Sequence, residues 1–530
     1  MPETLASLPD TLRHDLVKTI GAAHVLVDEE TRAFFSQDIG RAADVPAAAV
    51  VQPGTVEELC AVVASTTGAG FAVIPRGGGA SYTGGYLPER PNAVIVDTRR
   101  LARVTTISPE DMYVTVECGM TWKGMADALR PSGLRTPFWG PLSGAFATIG
   151  GSLSQNSILW GSARYGVSAD SVLSLDVVLA DGTLLRTGSA AVRTSSPYFR
   201  YYGPDLTGLF LGDTGALGIK ARATMRLMRL PAAVQTASFS FETHDDLVGA
   251  MAEIAREGIA TECFGMDPSL QRQRMKRASL AKDLNALKGV VTSARNLAEG
   301  VKEAAKVALA GRRFLDNVPY SMHVCTEARD QAGADAALRD IRRIAAERRG
   351  REVENTIPKV MRGEPFMGML SGIGPEGERW LPVHAVLPLS QAAATWSAVK
   401  ALLERHADAF AQHGIVVGVL TAIVAPSAFV LEPVFYWPAP RTLYYEKVFD
   451  RATLARFTDF PPNPEGEALV FDVRGKLKEL FLQRGATHLQ IGKTYPYHEG
   501  LRPEAWALVN AVKNAVDPRH LVNPGSLGLA

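Results

Sequence analysis

The sequence predicts an α+β protein of two domains. At 530 residues the chain exceeds the ~250–300 residues at which one hydrophobic core usually stops growing. From about residue 51 to 230, short β-branched runs alternate with helical stretches, whereas residues 232–480 hold longer amphipathic helices interleaved with strand-like segments. The change of pattern after Pro231 therefore marks the expected boundary between the domains.

Individual elements of the first domain follow from local patterns. A helix is expected in "EELCAVVASTTGAG", after the N-cap signal of Thr55, and strands are expected in "FAVIP", "AVIVDT" and the alternating "MYVTVECG". The segment "SVLSLDVVLADGTLLRTG" predicts a hairpin that turns at Asp181-Gly182, because glycine adopts the positive φ of a primed turn.

One apolar run, "IVVGVLTAIVAPSAFVL" at Ile415–Leu431, raises the question of a membrane span. It is shorter than the roughly 20 residues that a spanning helix needs, and Pro426 and Ser427 interrupt it. Its Val and Ile content favours buried strands.

Charge and cysteine content favour small-molecule chemistry in a reducing compartment. Lys plus Arg total 56 and Asp plus Glu total 55, so no global field attracts nucleic acid. The four cysteines form no CxxC pair, which predicts neither zinc nor an iron–sulfur cluster, and no metal site is expected. The N-terminal sequence has no apolar signal region. A cytoplasmic location is the expectation.

A basic stretch lies in the second domain. Residues 270–313 contain eleven basic and three acidic residues, on a pattern typical of helix. A solvated helix face is the favoured interpretation. A peripheral membrane contact or a partner-docking patch is the alternative.

A glycine-rich turn follows the strand in "VIPRGGGASYTGGYLP", residues 73–88. It does not fit GxGxxG, because Tyr82 occupies the last position, and it does not fit a Walker loop, because Gly85 replaces the lysine. Successive bare amides can nonetheless converge on an anion, for which a pyrophosphate is the obvious ligand.

Two further segments share this character. They are "GPLSGAFATIGGSLSQNSILWGSARYG" at 140–166 and "GLFLGDTGALGIKARATMRL" at 208–227. In the former, small and hydroxyl side chains can line a long flat ligand without collision. Three glycine-rich segments in one domain indicate one large bound cofactor.

Four motifs follow one another along the chain: "PRGGGASYTGG", "ATIGGSLSQN", "RYGVSADSVLSLDVVLADG" and "GDTGALGIKARATMRL". In these motifs and their order, the chain resembles the FAD-binding domain of the vanillyl-alcohol oxidase and p-cresol methylhydroxylase superfamily. "VKNAVDPRHLVNPG" resembles its C-terminal return segment, and "VLEPVFYWP" with "GIGPEGERWLPVHAVLPLS" resembles the cap of the FAD-linked oxidases. The resemblance implies an FAD domain at 1–230 with its core at 45–230, an antiparallel-sheet cap with flanking helices at 231–480, and a returning segment at 481–530.

FAD is the cofactor that the resemblance implies, with its diphosphate on the loop from Arg76 to Gly85. The expected FAD-binding residues are Pro75, Arg76, Gly77, Gly78, Gly79, Ala80, Ser81, Tyr82, Thr83, Gly84, Gly85, Pro141, Leu142, Thr148, Gly150, Gly151, Ser154, Gly161, Gly218, Ile219 and Asn523. Many relatives attach the flavin to a histidine after the loop glycines, where this chain has Ala80-Ser81.

Catalytic candidates come from "GATHLQIGKTYPYHEG", residues 485–500, and from the cap. Alcohol oxidation needs a group that takes the hydroxyl proton and positive charge near the reduced ring. His488 is the favoured base, by resemblance to the histidine of FAD-linked oxidases. The further candidates are His384, Tyr82, Tyr495, Lys493 and, for a substrate carboxylate, Arg362.

The predicted function is hydride transfer from a small alcohol or 2-hydroxy acid to FAD. The metal-binding "HxGDGN" pattern is absent, with "VHAVLPLS" in its place, which speaks against a zinc-assisted mechanism. Oxidation of para-alkylphenols is the alternative; it keeps Tyr82 but has Gly485-Ala486 where those enzymes have Tyr-Arg. A non-redox FAD scaffold or lyase is the alternative of another class. Oxygen, a quinone and a carrier protein remain open as electron acceptors, as does a homodimer.

Overall fold

The structure is a computed structural model that describes residues 8–280 and 318–530. Most of the basic stretch at 270–313 lies outside the described residues, so its role stays a prediction. No helix in the described part of the chain is long and apolar enough to cross a membrane.

The N-terminal part contains three sheets. A four-stranded sheet has the order β1-β2-β4-β3, in which β2, β4 and β3 are parallel, and an antiparallel five-stranded sheet has the order β5-β6-β10-β8-β9. Strands β7 and β11 form a two-stranded antiparallel pair. The strands are β1 Val25–Leu26, β2 Ala49–Val51, β3 Ala72–Arg76, β4 Ala93–Asp97, β5 Val104–Ser108, β6 Tyr113–Glu117, β7 Leu134–Arg135, β8 Val172–Val178, β9 Leu184–Arg186, β10 Ile219–Arg226 and β11 Met228–Arg229.

Local sequence explains these elements. All five residues of β4 are buried, as the continuous run "AVIVD" requires in a parallel strand covered on both faces. The predicted hairpin is confirmed: β8 and β9 pair antiparallel across a turn in which Gly182 has φ +84°. The predicted cap is also confirmed, since the Thr55 hydroxyl accepts the Glu58 amide at 3.1 Å.

The C-terminal part is built on one antiparallel sheet of eight strands, with the order β15-β12-β14-β13-β18-β19-β16 and β17 paired to β19. The apolar run at Ile415–Leu431 forms parts of two buried strands, β18 and β19, which confirms the interpretation against a membrane span. The strands are β12 Ala233–Phe241, β13 Glu262–Met266, β14 Tyr320–Ala328, β15 Arg351–Val353, β16 Arg379–Pro382, β17 Ala385–Pro388, β18 Val416–Val424 and β19 Ala428–Trp437.

Helices flank the sheets. Apolar residues of α8, α10, α12 and α16 bury against the eight-stranded sheet in one large core that includes Leu247, Ile341, Trp396 and Leu477. The helices are α1 Asp10–Ile20, α2 Glu29–Phe35, α3 Val56–Gly68, α4 Trp122–Leu129, α5 Ile149–Gln155, α6 Ser162–Tyr165, α7 Leu206–Leu209, α8 His244–Glu257, α9 Pro268–Leu280, α10 Gln331–Glu347, α11 Thr356–Gly363, α12 Ala392–Glu404, α13 Ala407–Gln412, α14 Leu443–Val448, α15 Arg451–Leu454, α16 Pro464–Gln483, α17 Tyr497–Gly500 and α18 Pro503–Val516.

The chain end returns to the glycine-rich turn. Val73 in β3 accepts the Asn523 amide at 2.9 Å and donates to the Leu521 carbonyl at 2.7 Å. The fully buried Lys513 ammonium, paired with Asp517 at 2.6 Å, donates to two further backbone carbonyls. These contacts fix the last residues against the strand that leads into the turn.

Candidate active site

A cavity of about 910 Å³ lies between the N-terminal sheets and the eight-stranded sheet. All three glycine-rich segments line one side of it. Strands β13, β18 and β19 and helices α9 and α11 line the other. The expected FAD-binding residues on its wall are Pro75, Arg76, Gly77, Gly78, Gly79, Ala80, Ser81, Tyr82, Gly85, Pro141, Leu142, Thr148, Gly150, Gly151, Ser154, Gly218 and Ile219.

The glycines of the turn at 77–79 are required by close packing. A Cβ on Gly77 would collide with the Thr148 hydroxyl, and a Cβ on Gly78 would collide with the backbone carbonyl of Phe146. Gly79 has φ +75°, a conformation that other residues rarely adopt. The first glycine-rich segment can therefore lie directly on the second only because these side chains are absent.

Four of the expected FAD-binding residues are not on the cavity wall: Thr83, Gly84, Gly161 and Asn523. The Gly84 amide is already used by the Asp38 carboxylate at 2.7 Å, and the Gly161 amide by the Glu262 carboxylate at 2.8 Å. The Asn523 side-chain amide donates to two backbone carbonyls of the glycine-rich segments, and Thr83 is fully buried. These residues support the turns around the cavity, which corrects the expectation that they contact the cofactor.

Two polar side chains meet where the glycine-rich turn faces the cap. The Tyr82 hydroxyl, in the turn, donates to the Glu432 carboxylate, in β19, at 3.3 Å, and both residues line the cavity. The Trp380 ring packs edge-on against Tyr82 with centroids 5.3 Å apart. Tyr82 thus lies on the cavity wall next to a carboxylate, Glu432, that was not among the candidates from the sequence.

Burial shifts the pKa values of Glu432 and Tyr82 and so decides which of the two side chains is charged. Burial raises the pKa of Glu432 to about 7, although the Tyr82 hydrogen bond and the charge of Arg274 act in the opposite direction. Burial and the neighbouring Glu432 raise the pKa of Tyr82, so the phenol keeps its proton. Glu432 is therefore a carboxylate that can take up or release a proton near neutral pH.

His384 lines the cavity, but both of its ring nitrogens are engaged. The Leu489 amide donates to Nε2 at 2.9 Å, so the proton of the neutral ring lies on Nδ1, which is 2.9 Å from the Tyr495 hydroxyl. Burial lowers the pKa of His384 to about 3. Tyr495 is buried and does not line the cavity. This pair holds the segment around Leu489 in place, which corrects the expectation of a catalytic role for either residue.

His488 does not reach the cavity wall, whereas Leu489 and Gln490 do. Its Nδ1 donates to the His384 carbonyl at 2.8 Å, and its ring stacks on Tyr495 at 4.0 Å. Burial lowers the pKa of His488 to about 4. The structure therefore does not support the expectation that His488 is the base that contacts substrate.

Lys493 is also displaced from its expected place. Its ammonium donates to the Leu87 carbonyl at 2.7 Å and lies 3.7 Å from the Glu89 carboxylate, outside the cavity lining. Burial lowers the pKa of Lys493 to about 8. The residue braces the glycine-rich turn from behind, which corrects its expected catalytic role.

Arg362 belongs to a buried cluster of four charges and not to the cavity. Its guanidinium binds Glu262 at 3.0 Å and also Glu327, which in turn pairs with Arg135. The Trp139 ring lies 5.4 Å from the same guanidinium. With its donors occupied in this way, Arg362 does not bind a substrate carboxylate, contrary to expectation.

This cluster predicts a large effect on stability. Because Arg362→Met leaves two buried carboxylates with one cation, we expect the free energy of unfolding to fall by about 3–5 kcal/mol in urea denaturation. Arg343→Met is the matched control, since it breaks an exposed ion pair with Glu347 and should cost below about 1 kcal/mol. Equal losses of unfolding free energy in the two variants would contradict the assignment of Arg362 to a buried charge cluster.

Residues 47–188 match the FAD binding domain family. A probable mitochondrial D-lactate dehydrogenase from Danio rerio is 34% identical over 215 residues, 40% of this chain and 42% of that protein. A glycolate oxidase subunit from Bacillus subtilis is 30% identical over 206 residues, 39% of this chain and 42% of that protein. Each match spans less than half of the relative's length.

Solved structures extend the likeness to the fold of the whole chain. The crystal structure of p-cresol methylhydroxylase with substrate bound superposes with a TM-score of 0.74 at 18% identity, over 98% of this chain and 96% of that one. Residues 47–188 therefore form an FAD binding domain, and the chain as a whole shares the fold of p-cresol methylhydroxylase. FAD is the cofactor of this domain.

The residues at the cavity fit an anionic cofactor. The Arg76 guanidinium is buried among aromatic rings, with Phe35 at 4.4 Å, and its Nε and Nη1 have no hydrogen-bond partner in the described part of the chain. Gln155, on the wall, likewise has an unpartnered buried Oε1. A buried cation with unused donors beside bare amides suits a diphosphate.

Proposed function

We propose that this flavoprotein is an FAD-dependent oxidoreductase that oxidises the carbinol carbon of a small alcohol or 2-hydroxy acid. One observation carries the proposal: a single cavity joins the glycine-rich wall to a wall on which Tyr82 and Glu432 meet. The names of the relatives, a D-lactate dehydrogenase and a glycolate oxidase subunit, support this class of substrate.

Different residues of the chain would bind the cofactor and take up the substrate's proton. The loop from Arg76 to Gly85 would hold the diphosphate through backbone amides and the buried guanidinium. When bound, FAD supplies the hydride acceptor at its N5. Glu432 takes the hydroxyl proton of the substrate, and the Tyr82 hydroxyl, which keeps its proton, orients the carboxylate and the substrate oxygen.

Glu432 replaces His488 as the proposed base for two reasons. It lies on the cavity wall, and burial raises its pKa to about 7, so it is substantially ionised at neutral pH and able to accept a proton. His488 fails the first condition.

Electrons leave the reduced protein to oxygen, a quinone or a separate carrier protein, since the sequence has no CxxCH haem motif. All four cysteines are free thiols, which suits a reducing compartment such as the cytoplasm.

Oxidation of para-alkylphenols is the second candidate, favoured by the Tyr82 hydroxyl on the cavity wall. A phenolate would need further donors. Tyr495 is turned to His384, and Gly485-Ala486 supplies no polar side chain, so we rank this function second.

Anaerobic reduction of the holoprotein tests the proposal. D-lactate, glycolate, D-2-hydroxyglutarate, vanillyl alcohol and 4-cresol are added in turn, and the visible flavin absorption is followed. We expect bleaching by one or more of the 2-hydroxy acids. Bleaching by vanillyl alcohol or 4-cresol alone would favour oxidation of para-substituted phenols, and bleaching only by dithionite would indicate a non-redox scaffold.

A further inference from the structure

We propose that the substrate is a 2-hydroxy acid with an apolar side chain of aromatic or branched-alkyl size, and that Arg274 binds its carboxylate. This inference rests on the proposed function and identifies the substrate class of the same cavity. No expectation from the sequence assigned a role to Arg274.

The first observation is the apolar lining on the cap side. Its large side chains include Met266, Met275, Met361, Met367, Trp380 and Leu420. Ligand sites of this kind combine an apolar wall with a few polar groups that fix orientation. Lactate or glycolate would leave most of this wall without contacts, whereas a phenyl or isobutyl group would cover it.

The second observation is a cation on the same wall. Arg274 lies on α9, is half-buried, and is close enough to Glu432 for its charge to favour the ionised carboxylate. No hydrogen bond or ion pair of its guanidinium is present within residues 8–276 and 318–530. A carboxylate that enters an apolar cavity needs a cation, and arginine binds it with two parallel hydrogen bonds.

The position of Arg274 is fixed by the first turn of α9. The Asp267 carboxylate accepts the Leu270 amide at 2.7 Å and the Val419 amide of β18 at 2.9 Å, and the Gln271 side chain donates to the Val318 carbonyl at 3.1 Å. The helix is thus attached to the sheet one turn before Arg274. A guanidinium held in this way is a specific anchor and not a freely moving surface charge.

Arg274 and Glu432 together define how the substrate lies. With its carboxylate at Arg274 and its hydroxyl at Glu432, a 2-hydroxy acid directs its side chain toward the apolar wall. Arg274 also offsets the repulsion between the substrate carboxylate and an ionised Glu432. Arg456, the other guanidinium on the described cap side of the cavity, is solvent-exposed and therefore offers a weaker, screened attraction.

The test compares 3-phenyllactate, lactate and 1-phenylethanol as reductants of the holoprotein, in wild type, Arg274→Gln and Arg272→Gln. Arg272 is the matched control, since it lies on the same helix, is exposed and does not line the cavity. We expect wild-type kcat/KM for 3-phenyllactate to exceed that for lactate by about 50-fold or more, because a buried phenyl group adds much apolar contact.

At about pH 9, where Glu432 is ionised with or without the charge of Arg274, Arg274→Gln should lower kcat/KM for 3-phenyllactate by about 10²-fold. At the same pH it should change kcat/KM for 1-phenylethanol, which has no carboxylate, less than about threefold. Arg272→Gln should match wild type with all three. Lactate preferred over 3-phenyllactate, or equal losses for the acid and the neutral alcohol in Arg274→Gln, would overturn this inference while leaving the proposed function intact. No reduction by any of the three would overturn this inference, and no reduction by glycolate or D-2-hydroxyglutarate either would overturn the proposed function as well.

Discussion

Replacing Glu432 by Gln is expected to lower kcat/KM for substrate oxidation by about 10²–10³-fold, the usual contribution of a positioned general base. The amide keeps the shape of the side chain and can still contact Tyr82, but it cannot take the hydroxyl proton. Stopped-flow reduction of the flavin under anaerobic conditions measures this step without the electron acceptor.

The pH dependence of kcat/KM is a second test of the role of Glu432. Because the ionised carboxylate is the active form and its pKa is about 7, wild-type kcat/KM should rise with pH to about 7 and then level off. Glu432→Gln should lose this rise. His488→Ala, the matched control, should keep it and lose less than about fivefold in rate, since its ring does not reach the cavity. A loss of 10²-fold in His488→Ala would return the base to that residue.

Replacing Gly78 by Ala is expected to weaken FAD binding by 10²-fold or more, so that the purified protein is colourless. The added Cβ would collide with the Phe146 carbonyl oxygen, a backbone atom that cannot turn aside, so the two glycine-rich segments must separate. Titration of the apoprotein with FAD, followed by quenching of flavin fluorescence, measures the affinity.

Two variants keep this prediction testable if Gly78→Ala folds poorly. Gly475→Ala is the matched control, because its Cβ would meet nothing within 4 Å and its helix, Pro464–Gln483, accepts alanine readily. Arg76→Met leaves the loop backbone unchanged and removes the buried cation, so it should also weaken FAD binding. Unchanged affinity in both Gly78→Ala and Arg76→Met would contradict the diphosphate site.

The cofactor side of the cavity could be predicted from the sequence because its determinants are local. Glycine clusters follow strands directly, and a bare backbone has the same meaning wherever the chain folds. The exceptions were residues whose polar groups are used by distant partners. Gly84 gives its amide to Asp38 and Gly161 gives its amide to Glu262, contacts that depend on tertiary structure.

The catalytic side could not be predicted so well, because it depends on which way side chains point. Thr487 forms a bridge with Val386, and since successive side chains of an extended segment alternate, Leu489 faces the cavity whereas His488 does not. Arg362 follows Met361 on α11 but points about 100° away around the helix axis, toward Glu262.

A signal for Glu432 was nevertheless present in the sequence. The strand "AFVLEPVFYW", β19, contains a single charged residue in an otherwise apolar run. A lone carboxylate in a buried strand needs a compensating partner or a functional reason, and here it opposes Leu420 of β18 on the cavity wall. Arg274 gave no comparable signal, because it is one of many basic residues in its helix.

Quantification of flavin after denaturation of the purified protein tests the central claim most directly. Flavin is counted in both the acid-precipitated pellet and the supernatant, so that covalent and free cofactor are both included. We expect one FAD per chain, and close to none in Gly78→Ala. A wild-type protein that contains no flavin, and binds none when FAD is added, would contradict the claim that this cavity is a flavin site.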